Sequence, residues 1–151
     1  ARIEHECKAR SAKRAEDDRN TILIAVGNND TKILTGEKQT CVSAEDFGSN
    51  IERIIAIAKK HADDIALVEI IPVDEKRCRP FEERKTFNNT TIQQYNTIIR
   101  DAARTQGVTL IHTYDAFLDG HEKMLADGLH PNAKGYQRMH DIIKAALEGI
   151  I

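Results

Sequence analysis

Hydrophobic and polar positions along this chain alternate between two spacings. Thr21-Ile-Leu-Ile-Ala-Val-Gly27 is an unbroken apolar run closed by Gly-Asn-Asn-Asp, too short for a helix, and it predicts a parallel strand buried on both faces and central in its sheet. Ile65-Ala-Leu-Val-Glu-Ile-Ile71, stopped by Pro72, predicts a second such strand, and Val108–Thr113 a third. Between them the spacing becomes helical. Ser43 with Asp46 three residues on forms a capping signal, and Phe47, Ile51, Ile54, Ile55 and Ala58 then share one face of a helix that ends near His61. Ile92, Tyr95, Ile99, Ala102 and Ala103 mark a helix over 88–106, with Gly107 as its stop. A last helix over 132–147 turns Tyr136, Met139, His140, Ile143 and Leu147 inward. Arg2–Arg19, with charges of both signs around Ile3, Cys7, Ala12 and Ala15, predicts an outer, largely solvated helix.

Helices alternating with strands predict an α/β domain, a three-layer parallel sheet covered on both faces, and the 151 residues suit one domain over 1–151. The segment from Asp74 to Lys85, with five basic and four acidic residues, is expected as a surface insertion near a site. Composition narrows the functional classes. The 22 basic and 24 acidic residues leave a net charge of −2, interleaved and with few aromatics, so no nucleic-acid platform is expected. No run reaches the roughly 18 apolar residues of a membrane span. Cys7, Cys41 and Cys78 are odd in number and contain no C-x-x-C pair, which points to a reducing, cytoplasmic setting rather than to disulfides or zinc. With neither a dinucleotide nor a phosphate-loop fingerprint, and no metal-ligand spacing around His112 or His121, no cofactor or metal is expected.

In open parallel sheets, sites form outside the carboxyl ends of the strands. Two loops there carry chemistry. Gly27-Asn28-Asn29-Asp30 combines a sharp exit with short amides that can present a fixed N–H donor, although an Asn-rich turn bonding its own backbone has the same appearance. Asp127-Gly-Leu-His130-Pro131 places a His at a helix entrance, with a carboxylate three residues back that can reach Nδ1, fix the tautomer and stabilise an imidazolium. A helix cap beside a surface His is the plain alternative for that pair.

Together, in this order, the two motifs resemble the SGNH, or GDSL, hydrolase family, whose third block is G-x-N-D and whose fifth is D-x-x-H-P followed by a Gly-aromatic pair, here Gly135-Tyr136. Tyr95-Asn96 also looks like the family. The resemblance implies a flavodoxin-like fold and an ester or acyl hydrolase in which Asn29, with Gly27 in the same turn, serves the oxyanion, His130 is the base and Asp127 orients it. The family's first two blocks, with the nucleophilic Ser and the oxyanion Gly, lie before the strand that here begins at Thr21, and no match to them occurs.

The expectation is therefore a partial domain, incomplete at its N-terminal side, whose first two strands and nucleophile belong to a missing N-terminal segment. Without a neighbouring strand, Ile22–Val26 would be an exposed apolar edge. Ser11, Ser43 and Ser49 sit in no strand-to-helix elbow, and Cys78, whose basic neighbours Lys76, Arg77 and Arg79 could lower its thiol pKa, is a weak alternative nucleophile. The substrate implied is a small-molecule, acylated-sugar or lipid ester. The rival reading is a non-catalytic SGNH-like binding or interaction protein.

Overall fold

The computed structural model describes residues 19–148, so the helix expected over Arg2–Arg19, with Cys7 and Ser11, lies outside the described residues except for Arg19. Three strands, β1 (Thr21–Ile24), β3 (Asp64–Val68) and β5 (Thr109–Ile111), form a parallel sheet in the order β1-β3-β5. Their register runs from Thr21 opposite Asp64 and from Ala66 opposite Thr109. A smaller antiparallel pair, β2 (Ile33–Leu34) with β4 (Lys85–Thr86), was not foreseen from the sequence and sits in the loop region.

The strand alternation sorts the core. Ile65 and Leu67 of β3 point to one face of the sheet, where α1 (Ala44–Ala58) and α3 (Asn89–Gln106) pack with Phe47, Ile51, Ile55, Ile92, Tyr95 and Ile99. Ala66 and Val68 point to the other, with Ile111, toward α5 (Ala133–Glu148). The sheet is thus covered on both sides, giving the three layers the pattern predicts. The three long helices begin where a side chain satisfies free N–H groups. Ser43 Oγ accepts from the Asp46 N–H at 3.1 Å, Asn88 Oδ1 from that of Thr91 at 2.8 Å, and Asn132 Oδ1 from Gly135 at 3.1 Å. Gly107 ends α3 in the left-handed region at φ 63°.

Three expectations change. β1 is an edge strand among the described residues, not a central one, and it leaves Leu23 40% and Val26 42% exposed. The physical reason is that β3, buried from Ile65 to Val68, takes the middle by pairing on both sides. In α5, Tyr136 and His140 face outward; the stripe against the sheet is Met139, Ile142, Ile143, Ala146 and Leu147, because Gly135, the buried residue of the first turn, fixes the rotation of the helix. The Asp74–Lys85 segment is no loose insertion: it forms α2 (Glu75–Cys78) and buries Cys78 and Phe81 in the main core. Beyond β5, a short α4 (Tyr114–Leu118) and a 3-10 turn (His121–Lys123) lead to the Asp127 loop. No helix among the described residues is long and apolar enough to cross a membrane.

Candidate functional site

Three segments meet beyond the carboxyl ends of the strands. After β1, the chain turns at Gly27, whose φ of 115° suits only glycine and whose hydrogen stands where a Cβ would lie 2.8 Å from Ile70 Cδ1. The Gly27 carbonyl accepts from the N–H groups of Asp30 at 2.9 Å and Thr31 at 3.2 Å, and the buried Thr31 donates its hydroxyl to the Asn28 carbonyl at 2.7 Å. This tight turn leaves the Asn29 side chain exposed, while Asn28 faces inward with its Oδ1 buried.

After β3, Ile70 is held by Asn96 of α3. Glu69, with a fully buried side chain, accepts from Arg100 Nε at 2.5 Å and from the Tyr114 N–H at 3.2 Å, and its carbonyl accepts from Thr113 Oγ1 at 2.6 Å. These bonds anchor the strand tip from two neighbouring elements.

The third segment carries Asp127 and His130. Asp127 Oδ1 accepts the backbone N–H groups of Leu129 at 2.9 Å and His130 at 2.8 Å, folding the loop back on the carboxylate, and Oδ2 sits 2.7 Å from His130 Nδ1. Burial pushes the Asp127 carboxyl up, but the His130 backbone and ring bonds and the Leu129 N–H outweigh it and bring it down to about 2. The ring of Phe81 stands edge-on to the imidazole, 6.2 Å between centroids. With Nδ1 engaged by Asp127, Nε2 is the nitrogen left to exchange a proton.

A cavity of about 250 Å³ opens beside this pair, lined by Val26, Asn28, Ile70, His130, Tyr136 and Met139 among others. Among the residues expected to act, Asp127 and His130 are joined directly, whereas Asn29 and Gly27 are not in the cavity wall and Asn28 represents their turn there. No serine, threonine or cysteine lines it among the described residues. Ser43 is a helix cap and Ser49 is exposed on α1. Cys78 departs from expectation: burial first, then the Asp127 and Asp74 charges, raise its thiol to about 11, so its basic neighbours do not make it a thiolate. Among the described residues no group of three or more His, Cys, Asp or Glu is placed to hold a metal ion.

Two contributions were not read from the sequence. Tyr136 reaches the cavity rather than the core, and Arg77 and Asp74, hidden in a segment whose charges nearly cancel, contact the loop that bears His130. Only the density of ionic residues near a strand end marked that segment.

Comparison with known proteins adds the family. Residues 2–138 match the model of the GDSL-like Lipase/Acylhydrolase family. An acetylxylan esterase of Xylanibacter ruminicola is 25% identical over 142 residues, covering 85% of this chain and 28% of that protein. The lipase/acylhydrolase of Enterococcus faecalis is similar in fold, with a TM-score of 0.69 and 24% identity over 86% of this chain and 62% of its own. A GDSL-like lipase of Bacteroides thetaiotaomicron VPI-5482 has a TM-score of 0.65 and 26% identity, covering 87% of this chain and 63% of its own. The chain therefore spans less than two thirds of each of these relatives. With the α/β layering, the parallel sheet and the matched length in agreement, the chain belongs to the GDSL-like lipase/acylhydrolase family.

Proposed function

We propose that this chain supplies the base, its orienting carboxylate and an oxyanion donor of a carboxylic ester hydrolase whose nucleophilic serine lies on a preceding segment. The observation that carries the reading is the Asp127–His130 hydrogen bond of 2.7 Å at the mouth of a cavity beyond the strand tips. The outer side of β1, unpaired among the described residues, with Leu23 and, just beyond the strand, Val26 exposed, supports a preceding strand as its neighbour.

In the proposed reaction, His130 Nε2 takes the hydroxyl proton as the serine oxygen attacks the ester carbonyl, and Asp127 stabilises the imidazolium so formed. The tetrahedral oxyanion receives an N–H from the Asn29 side chain, presented on the exposed face of the Gly27 turn, together with backbone donors. His130 then returns the proton to the leaving alcohol, and water repeats the cycle on the acyl-enzyme. The acetylxylan esterase relative favours acetylated carbohydrate as the substrate class.

The test is turnover of 4-nitrophenyl acetate by the full-length protein. His130→Ala should abolish it, and Asn29→Ala should lower kcat by roughly 10²- to 10³-fold, equivalent to about 2.7 to 4 kcal/mol. Unchanged turnover in the His130 variant rejects His130 as the base, whereas a parent protein that turns over no ester favours the binding reading. Unchanged turnover in the Asn29 variant alone moves the donor role elsewhere in the turn.

A further inference from the structure

The segment leaving β3 grips the loop that bears the base. The Asp74 N–H donates to the Gly128 carbonyl at 2.9 Å, and the Asp74 carboxylate accepts from Arg77 Nε at 2.8 Å. The far side of the same guanidinium reaches across: Nη1 donates to the Ala126 carbonyl at 3.1 Å, and Nη2 to the carbonyls of Glu122 at 2.9 Å and Leu125 at 3.2 Å. Ala126 in turn closes the loop on the base, its N–H donating to the His130 carbonyl at 2.8 Å. Packing is equally close, since a Cβ on Gly128 would lie 2.7 Å from Arg77 Cβ.

A planar guanidinium presents five N–H donors in a fixed fork, and here all three nitrogens are in use, on one carboxylate and three main-chain carbonyls. An arginine present only for surface charge would need none of those carbonyls. Asp74 fixes the guanidinium from below, and the Arg77 hydrogen bond in return holds the Asp74 carboxyl below its usual range.

We infer that Arg77 is a positioning residue for the Asp127–His130 pair, holding the loop that carries both through its carbonyls; this rests on the reading of His130 as the base. Arg77 touches neither side chain of the pair, so its effect is on their pose. A displacement of about 1 Å at a reacting group costs on the order of 10²-fold in rate.

The test measures kcat and KM on 4-nitrophenyl acetate for the full-length protein, together with the Asp127 carboxyl titration by carbon-13 NMR. Arg77→Gln should lower kcat by roughly 10- to 100-fold with KM little changed, and should raise the Asp127 titration from about 2 toward its ordinary value as its donors loosen. Arg77→Lys, which cannot fork, should recover only part of both. Arg79→Gln, which removes the exposed pair with Glu75 just beyond the same short helix, should change neither. A folded Arg77→Gln with normal kcat and normal Asp127 titration overturns the inference. If that variant does not fold, Asp74→Asn weakens the same guanidinium from below, and no change in its two readouts is equally decisive. Should His130→Ala retain turnover, the reading of His130 as the base fails, while the Asp127 titration still decides whether Arg77 poses the loop.

Discussion

Asn96 and Ile70 are joined in both directions: Asn96 Nδ2 donates to the Ile70 carbonyl at 2.9 Å, and Asn96 Oδ1 accepts the Ile70 N–H at 2.8 Å. Asn96 is fully buried on the inner face of α3, so its amide substitutes for a neighbouring strand where β3 has run past its ladder. Asn96→Ala leaves two buried main-chain groups without partners, each costing about 1–3 kcal/mol. The expected loss of roughly 2–6 kcal/mol is read from the urea midpoint at constant m. A midpoint within error of the parent would show that water or another group replaces the amide.

Glu69 and Arg100 predict a larger loss for the single change than for the double one. Arg100→Met takes the cation from a carboxylate with a fully buried side chain, leaving it the Tyr114 N–H, and should cost up to roughly 3–5 kcal/mol, whereas Glu69→Met combined with Arg100→Met should recover part of that loss, the Tyr114 N–H then lacking its acceptor. A double-mutant cycle by chemical denaturation measures both, and a double variant as unstable as the single one would contradict it.

Acid stability should carry the mark of Asp127. Its folded-state value of about 2 lies below the unfolded value of about 3.9, so the ionised carboxyl favours the folded form above pH about 4, and that contribution fades as pH falls through about 2. Comparing the unfolding free energy of the parent with Asp127→Asn across this range should show a gap that narrows steadily toward acid. A gap independent of pH would refute it.

Two glycines should respond differently to alanine. A Cβ at Gly135 would lie 2.3 Å from the Met124 carbonyl oxygen, main chain that cannot swing aside, so Gly135→Ala should lose about 1–3 kcal/mol. At Gly48, inside α1, the nearest atom is Ile98 Cγ2 at 3.4 Å, and alanine should be neutral or stabilising by about 0.5–1 kcal/mol. Thermal unfolding of the two variants side by side decides the matter.

The long elements were legible because their patterns are one-dimensional. The Ser43 cap, the apolar face of α1, the Gly107 stop and the β3 run are each set by residues a few positions apart, and they appear close to where the spacing puts them. Asp127 and His130 were legible for the same reason, being three residues apart in one loop. What escaped depends on partners distant in sequence. The β2–β4 pair joins Ile33 to Thr86, Arg77 meets its carbonyls across more than forty residues, and the outward turn of Tyr136 follows from the close approach of Gly135 to Met124. The choice between Asn28 and Asn29 at the cavity wall depends on one turn's dihedral angles, which residue identity alone does not set.

The parallel ladder also bears on how the molecule is made. Thr21 pairs with Asp64 and Ala66 with Thr109, so among the described strands of this sheet each pairing waits until a whole helical crossover has been synthesised. Such distant pairings close slowly. During translation the side of β1 that β3 will cover therefore stays unpaired for about forty residues, and that interval is when its apolar run is open to wrong partners.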